Sequence, residues 1–251
     1  MGRKPLIIAH RGNSKYAPAN TIESIRQAID LGVDLIELDV RQTKDGVLIL
    51  IHNDTLDETT SSEGLVSDMN YAQIKKLDAG SWKNPKYAGE KIPTLMEVLD
   101  FTRDKVGLSL DLKDESIIKT MLREIKDANM VENVVICGCH EPQARAIWDI
   151  NPEVTVLLNT DSDLDKLAKC EDKANFINEY ICRASKERFA ALNVSFRYVN
   201  DELIYKAHRR ALPVWTWTVD NVEDMERLIE MGVDAIYSND PARLMEISKK
   251  Y

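Results

Sequence analysis

No stretch of this sequence is long and apolar enough to cross a bilayer. Its longest apolar runs are about five or six residues, against the roughly 20 that a spanning helix needs. The run in MGRKPLIIAH is also shorter than the ~7–15 apolar residues of a secretion signal. Stable membrane insertion is therefore not expected, and the cytoplasm is the expected compartment. Cysteine is scarce, with Cys137, Cys139, Cys170 and Cys182 the only four. Cys137-Gly138-Cys139-His140 could suggest metal chemistry, but zinc sites more often pair C-x2–4-C with a second pair at matching distance, and Cys170 and Cys182 are isolated. Four reduced thiols are the expectation. Basic residues are outnumbered too: 33 Lys plus Arg stand against 42 Asp plus Glu, a net charge of −9. Such a chain does not hold nucleic acid or anionic lipid by bulk electrostatics. A local basic pocket is still allowed.

What is present is ordinary for a globular domain: 44% hydrophobic and 30% charged residues over 251 positions. A chain of this size buries roughly 70–75% of its unfolded surface, and single α/β barrels run to ~250 residues as one domain. Eight short segments rich in Val, Ile and Leu read as parallel strands covered on both faces. They are Leu6–Ala9, Leu35–Val40, Gly107–Leu112, Val134–Cys137, Val154–Leu158, Ala191–Val194, Val214–Thr218 and Ala235–Ser238. Helical patterns follow most of them, at about Thr21–Leu31, Thr94–Asp104, Glu115–Ala128, Glu141–Ile150, Ser162–Lys169, Asp201–Arg210, Val222–Met231 and Pro241–Ser248, with further helix in 171–190. Leu31-Gly32-Val33-Asp34 and Met231-Gly232-Val233-Asp234 are near-identical helix-to-strand turns, with Gly where the helix ends. This is the arithmetic of a TIM (β/α)8 barrel spanning 1–251 as one domain.

Two features interrupt the repeat after the second strand. Asp45-Gly46 carries the signal of a two-residue hairpin turn, which pairs Lys44 with Val47 and sets Asp39 opposite His52. Residues 53–92 then contain no barrel unit, apart from a short helix expected at Tyr71–Leu77. A connection that long is usually functional, and it is placed to cap the barrel mouth.

Barrel sites lie at the C-terminal strand ends, which here carry His10-Arg11, Glu37 and Asp39, Asp111 and Lys113, Trp215 to Trp217, and Ser238-Asn239-Asp240. Residues two apart on a strand share a face, so Glu37 pairs with Asp39 and Asp111 with Lys113. Three bare carboxylates together repel and raise one another's pKa. A divalent cation removes that conflict, and oxygen ligands suit Mg²⁺ or Ca²⁺, with Mn²⁺ also open. The plainer alternative is that these carboxylates are solvated rim residues or ion-pair partners. The hairpin brings His52 back beside them, near His10. Two histidines, a metal and a lysine are the parts needed to cleave a phosphate ester, with one histidine taking a proton and the other giving one. Arg11 adds a planar fork for a phosphate. His140 and His208 lack this company.

HRGNSKYAPANT, LIELDVRQTKDGVLILIHND, TLDETTSSEG, IPTLMEVL, LSLDLK, VWTWTV and DAIYSNDP together resemble the signature of the glycerophosphodiester phosphodiesterases, in order and over nearly the whole chain. The resemblance implies a metal-dependent TIM barrel that hydrolyses glycerophosphodiesters to sn-glycerol 3-phosphate and an alcohol. It implies that His10 and His52 are the acid–base pair and that Arg11 and Lys113 bind phosphate. Glu37, Asp39 and Asp111 would be the metal ligands, with Trp215 lining the glycerol side. It further implies attack on phosphorus by a glycerol hydroxyl, giving a cyclic phosphate that water opens. The partner is then a small-molecule glycerophosphodiester, with no nucleic acid, and a homodimer stays open. The sequence departs from the family pattern at several places. Asp111 stands where Glu is more common, Ala19 removes a carboxylate, Asn53 replaces Asp after His52, Glu58 stands where Arg is common, and Cys139-His140 replaces a small polar stretch. None removes a presumed catalytic group; together they bear on substrate and metal preference.

Three rival readings stand beside this one. A lysophospholipase D-like phosphodiesterase would use the same catalytic core but would need an apolar channel for an acyl chain. A glycoside hydrolase would leave His10, His52 and Lys113 idle. A non-catalytic glycerophosphodiester-binding barrel would give the two histidines no task.

Overall fold

The computed structural model describes residues 4–160 and 173–251. Strands β1 (Leu6–His10), β2 (Leu35–Gln42), β4 (Gly107–Leu112), β5 (Val134–Cys139), β6 (Thr155–Asn159), β7 (Leu192–Ser195), β8 (Val214–Trp217) and β9 (Ala235–Ser238) run parallel. They follow one another around the sheet as β1-β9-β8-β7-β6-β5-β4-β2, and pairing of β1 with β2 closes the ring. This is the expected TIM barrel. The short β3 (Leu48–Leu50) pairs antiparallel with the outer end of β2.

Helices α1 (Ile22–Leu31), α2 (Tyr71–Ile74), α3 (Leu95–Thr102), α4 (Ile118–Asp127), α5 (Glu141–Ile150), α6 (Lys173–Lys186), α7 (Asp201–His208), α8 (Val222–Met231) and α9 (Pro241–Ser248) complete the described elements. All but the short α2 alternate with the barrel strands. Their start signals act as cap chemistry requires: the side chains of Thr21, Thr94, Asn200, Asn221 and Asp240 each accept a backbone N–H of the first turn. Gly32 and Gly232 end α1 and α8 in the left-handed conformation, φ 78° and 84°, where a Cβ would be strained. The apolar faces of these helices and the outward side chains of the strands form one core. It runs through Ile25, Ile36, Leu38, Leu110, Ile136, Leu158, Leu192 and Ile236. A second cluster, including Ile8, Leu157, Trp215 and Tyr237, fills the barrel interior. The helix expected at 162–169, and Cys170, lie outside the described residues. Cys137, Cys139 and Cys182 are free thiols. No described helix is long and apolar enough to cross a membrane.

The hairpin differs from the sequence expectation by one residue. Val40 faces Leu50 and Gln42 faces Leu48, and Ile51 N–H donates to the carbonyl of Asp39. Asp39 is therefore opposite Ile51, not His52. The loop is Lys44-Asp45-Gly46, closed by Thr43 N–H to the carbonyl of Val47 (2.9 Å), with Gly46 at φ 86°. A three-residue loop ending in a left-handed Gly competes with the two-residue turn for the same Asp-Gly pair. Thr43 favours the longer one here: its hydroxyl bonds both Asp45 Oδ1 (2.7 Å) and Val47 N (3.1 Å). His52 escapes the consequence because β3 ends at Leu50 and the chain bends before it.

Residues 53–92 carry their own small apolar cluster, in which Leu56, Val66, Ile74, Ala79 and Ile92 pack on Ile49 and Ile51 of the hairpin. Asp78 ties the segment's far end together, accepting from the backbone N–H of Gly80, Ser81 and Gly89, each at 2.8 Å.

Candidate active site

Parallel pairing fixes which side chains meet at the C-terminal end of the barrel. His10 is level with Glu37, and Asp39 with Asp111. These residues, with Arg11, His52 and Lys113, line one cavity of about 220 Å³. The seven charged or titratable residues assigned to the site from sequence thus converge. Trp215 does not line the cavity. It is buried in the barrel, its ring 6.2 Å from that of Tyr237. The aromatic residues in the wall are Tyr237 and Trp217; Trp217 is two positions on from Trp215 and therefore on the same strand face but nearer the mouth.

Backbone geometry at the end of β1 is unusual and specific. Arg11 and Gly12 both take positive φ, 58° and 78°. A Cβ on Gly12 would sit 2.6 Å from backbone atoms of Ser24, so only Gly allows the turn to lie against α1. Arg11 N–H is held by both the carbonyl (2.9 Å) and Oε2 (3.1 Å) of Glu37.

One oxygen from each of Glu37, Asp39 and Asp111 lies within 4.8 Å of the others. Glu37 and Asp39 are buried. Burial, then the charges of Asp39 and Asp111, push the Glu37 carboxyl well above its ordinary range. Burial would raise Asp39 as well, but the ammonium of Lys113 (2.9 Å) and the guanidinium of Arg11 (3.1 Å) hold it at about 2. Lys113 also pairs with Asp111, and these two carboxylates raise its pKa against the effect of burial. Asn20 fixes Asp39 by donating to Oδ2 (2.8 Å) and accepting from the backbone N–H (3.2 Å). Asp39 Oδ1 is the oxygen that faces Lys113 Nζ. Three crowded carboxylate oxygens from separate side chains suit a hard divalent cation.

Both histidines are oriented by carboxamides. His10 Nδ1 lies 2.8 Å from Asn239 Oδ1, and His52 Nδ1 lies 2.7 Å from Asn53 Oδ1. An amide oxygen only accepts, so each Nδ1 carries the proton and each Nε2 offers a lone pair. His10 Nε2 is 3.7 Å from Glu37 Oε2. Burial, and then the charge of Arg11, lower His10 to about 4. Asn239 is itself held by Asp220, which accepts from its Nδ2 (2.6 Å) and its backbone N–H (2.8 Å). Cys137 also faces the cavity, but burial and the neighbouring carboxylates push its thiol well up, so it supplies no thiolate.

Sequence reasoning did not assign Asn20, Gly138, Asn159, Asn193, Trp217 or Asp220 to the site. Asn20 stands just before Thr21, the cap of α1, and reaches the site only through Asp39, as Asp220 does through Asn239. Gly138 was visible in Cys137-Gly138-Cys139 but was weighed as part of a metal motif. It stands in an irregularity of β5, at φ 73°, and a Cβ there would fall 2.0 Å from Asp111 Oδ1.

Comparison with known proteins gives the site its context. The profile of the glycerophosphoryl diester phosphodiesterase family matches residues 10–243. The chain belongs to that family. Phosphodiesterases of this family hydrolyse glycerophosphodiesters, and the chain is an enzyme of that class. A glycerophosphodiester phosphodiesterase from Caldanaerobacter subterraneus subsp. tengcongensis is 36% identical over 253 residues, covering 98% of this chain and 99% of the relative. One from Bacillus subtilis is 32% identical, covering 98% and 87%. Among solved structures, a glycerophosphodiester phosphodiesterase from Agrobacterium tumefaciens superposes with a TM-score of 0.76 at 25% identity, covering 96% and 99%. An Oleispira antarctica phosphodiesterase, solved with its product sn-glycerol-3-phosphate, shares the fold with a TM-score of 0.82 at 24% identity, covering 98% and 97%.

Proposed function

We propose that this phosphodiesterase cleaves glycerophosphodiesters to sn-glycerol 3-phosphate and an alcohol, using His10 and His52 for proton transfer and Glu37, Asp39 and Asp111 to hold one divalent cation, Mg²⁺ or Ca²⁺ by their donor chemistry. The observation that carries this reading is the convergence of the three carboxylates, two cationic side chains and two tautomer-fixed histidines on one cavity. When bound, the cation supplies Lewis-acid polarisation of a phosphoryl oxygen. Arg11 and Lys113 provide fixed positive charge for the remaining phosphoryl oxygens. One Nε2 takes the proton of the attacking hydroxyl, and the other histidine, protonated, delivers one to the leaving alcohol oxygen. The carboxamides of Asn239 and Asn53 accept from Nδ1–H of each ring, so each ring gains or gives its proton at Nε2. The enzyme acts on a small molecule, in the cytoplasm by the reading above, as a single barrel whose segment 53–92 flanks the mouth. Trp82 and Lys83 of that segment border a groove shared with Arg11, which supports the reading that an alcohol head group extends along it.

A coupled assay for glycerol 3-phosphate tests the reaction. Glycerophosphocholine, glycerophosphoethanolamine and glycerophosphoglycerol should each yield it, and a lysophospholipid little. Release from none of the three diesters overturns the assignment; preferential cleavage of the lysophospholipid favours the lysophospholipase D-like alternative.

Gly138 tests the metal ligand set from a residue that binds nothing itself. Gly138→Ala places a methyl group where Asp111 Oδ1 now lies. Mg²⁺ affinity, read by titration calorimetry, should fall by about 10–100-fold, the range seen when groups that orient a ligand are lost. Unchanged affinity removes Asp111 from the set.

A further inference from the structure

The wall of the cavity away from the carboxylates is built for a different task. Around the barrel, β7 is four strands from β2, and β8 four strands from β4, so Asn193 and Trp217 stand opposite the strands that carry Glu37, Asp39 and Asp111. Both line the cavity. Asn193 is 3% exposed. Its Nδ2 donates to Asn159 Oδ1 (2.9 Å), and that same oxygen accepts the backbone N–H of Gly138 (3.0 Å). Two donors on one oxygen fix the Asn159 carboxamide, and Asn159 in turn fixes the Asn193 carboxamide with its nitrogen turned away from the ligand space. Asn193 Oδ1 is then buried with no hydrogen-bond donor among the described residues, and the buried indole N–H of Trp217 has no acceptor.

A buried acceptor that gives up water when a ligand fills the cavity is costly unless the ligand supplies a donor in its place. The two orphan atoms ask for different things. A phosphoryl, ether or ester oxygen satisfies the indole N–H but cannot donate to Asn193. A free hydroxyl donates to Asn193 and still has lone pairs for Trp217. We propose that Asn193 is a specificity-determining residue: its fixed amide oxygen takes a hydrogen bond from one free hydroxyl on the glycerol part of the ligand, so the preference for glycerol 3-phosphate over the analogue lacking that hydroxyl is set at this side chain. The proposal rests on the function given above, since it takes the phosphate to lie at Arg11 and Lys113 and the glycerol to extend toward β7 and β8.

The test is a ligand comparison read by binding in the metal-loaded enzyme, with turnover as a separate control. Glycerol 3-phosphate is titrated beside its two singly deoxygenated analogues, 1,2-propanediol 1-phosphate and 1,3-propanediol phosphate, and beside inorganic phosphate. The wild type should bind one deoxy analogue about 10–100-fold more weakly than glycerol 3-phosphate, the fold-change expected when a buried polar group is left unpaired. In Asn193→Ala that discrimination should shrink to about threefold or less, while inorganic phosphate binds as in the wild type. A purely structural role, acting through Asn159 and Gly138, would instead weaken all four ligands in common and keep the ratio; that result overturns the proposal. Trp217→Phe guards against a folding defect in the Asn193 variant, because it keeps the ring and removes only the N–H. It should weaken glycerol 3-phosphate and leave inorganic phosphate unchanged, and equal weakening of both counts against the hydroxyl site. If the wild type binds both deoxy analogues as tightly as glycerol 3-phosphate, the hydroxyl proposal fails while hydrolysis in the coupled assay stands. If the wild type neither binds glycerol 3-phosphate nor releases it from any diester, both readings fail together.

Discussion

His10→Ala and His52→Ala should each lower kcat for glycerol 3-phosphate release by about 10²–10⁴-fold, the contribution of a positioned acid or base, with folding and metal affinity retained. Each histidine is anchored at Nδ1 by a carboxamide, so each presents a single defined nitrogen to the cavity. Neither ring is central to the apolar core; His10 and His52 are both partly exposed at the mouth, so truncation leaves the barrel packing intact. In the proposed mechanism the two rings serve one proton circuit, in which the proton taken from the nucleophile is balanced by one given to the leaving oxygen. Removing both should therefore cost about as much as removing one, because groups that act as a unit are not additive. Asn239→Ala gives an intermediate case. It removes the acceptor at Nδ1 of His10 without touching the reacting atoms, so kcat should fall less than in His10→Ala while KM stays near the wild-type value. Near-normal turnover in either histidine variant would end the acid–base assignment, and strictly multiplicative losses in the double variant would separate the two roles.

The barrel itself was legible because its signals are local and repeated. Apolar strand segments, helix caps and the two Gly32 and Gly232 turns each report on a few neighbouring residues, and their order alone gives the topology. The carboxylates and histidines were legible for a related reason: residues at strand ends in a barrel point to one place, whichever strands carry them. The errors came where one residue decides an outcome. The hairpin register turned on Thr43, whose hydroxyl stabilises the longer loop, and that bond is invisible to the Asp-Gly signal. Trp215 and Trp217 share a strand face, so periodicity could not choose between them; the choice depends on depth in the barrel, where Trp215 packs into the interior cluster with Tyr237 and Ile8. Asn159 and Asn193 were missed because each matters only through partners far along the chain. Gly138 carries no functional group at all, and its role is the volume it leaves to Asp111.

Chelation should abolish turnover, and Mg²⁺ or Ca²⁺ should restore it. The charges of the proposed site are the reason to expect it. Glu37, Asp39 and Asp111 outnumber Arg11 and Lys113, so the protein groups alone present an excess of negative charge to a phosphodiester that is itself an anion. A single divalent cation reverses the sign and leaves one positive charge against the one negative charge of the substrate. Without it, the crowding of the carboxylates favours a proton on Glu37, which neutralises the site but polarises no phosphoryl oxygen. The loss on exhaustive chelation should be about 100-fold or more, since a Lewis-acid cation contributes several kcal/mol to the transition state. Binding can be read apart from chemistry. A cation present at about 100 times its Kd stabilises the folded protein by about 2.7 kcal/mol, so Mg²⁺ should raise the melting temperature of the wild type. Glu37→Gln keeps the shape of the side chain and removes its charge; it should lose both the activity and the stabilisation by Mg²⁺. Full activity after chelation, or equal stabilisation of the wild type and Glu37→Gln by Mg²⁺, would show that the three carboxylates serve Arg11 and Lys113 as ion-pair partners instead. That arrangement would leave the phosphate to be held by two cations already engaged at 3.1 Å and 2.9 Å with Asp39, which is the ground for proposing the metal: with the carboxylate charge balanced by a bound cation, Arg11 and Lys113 would have positive charge free for the substrate.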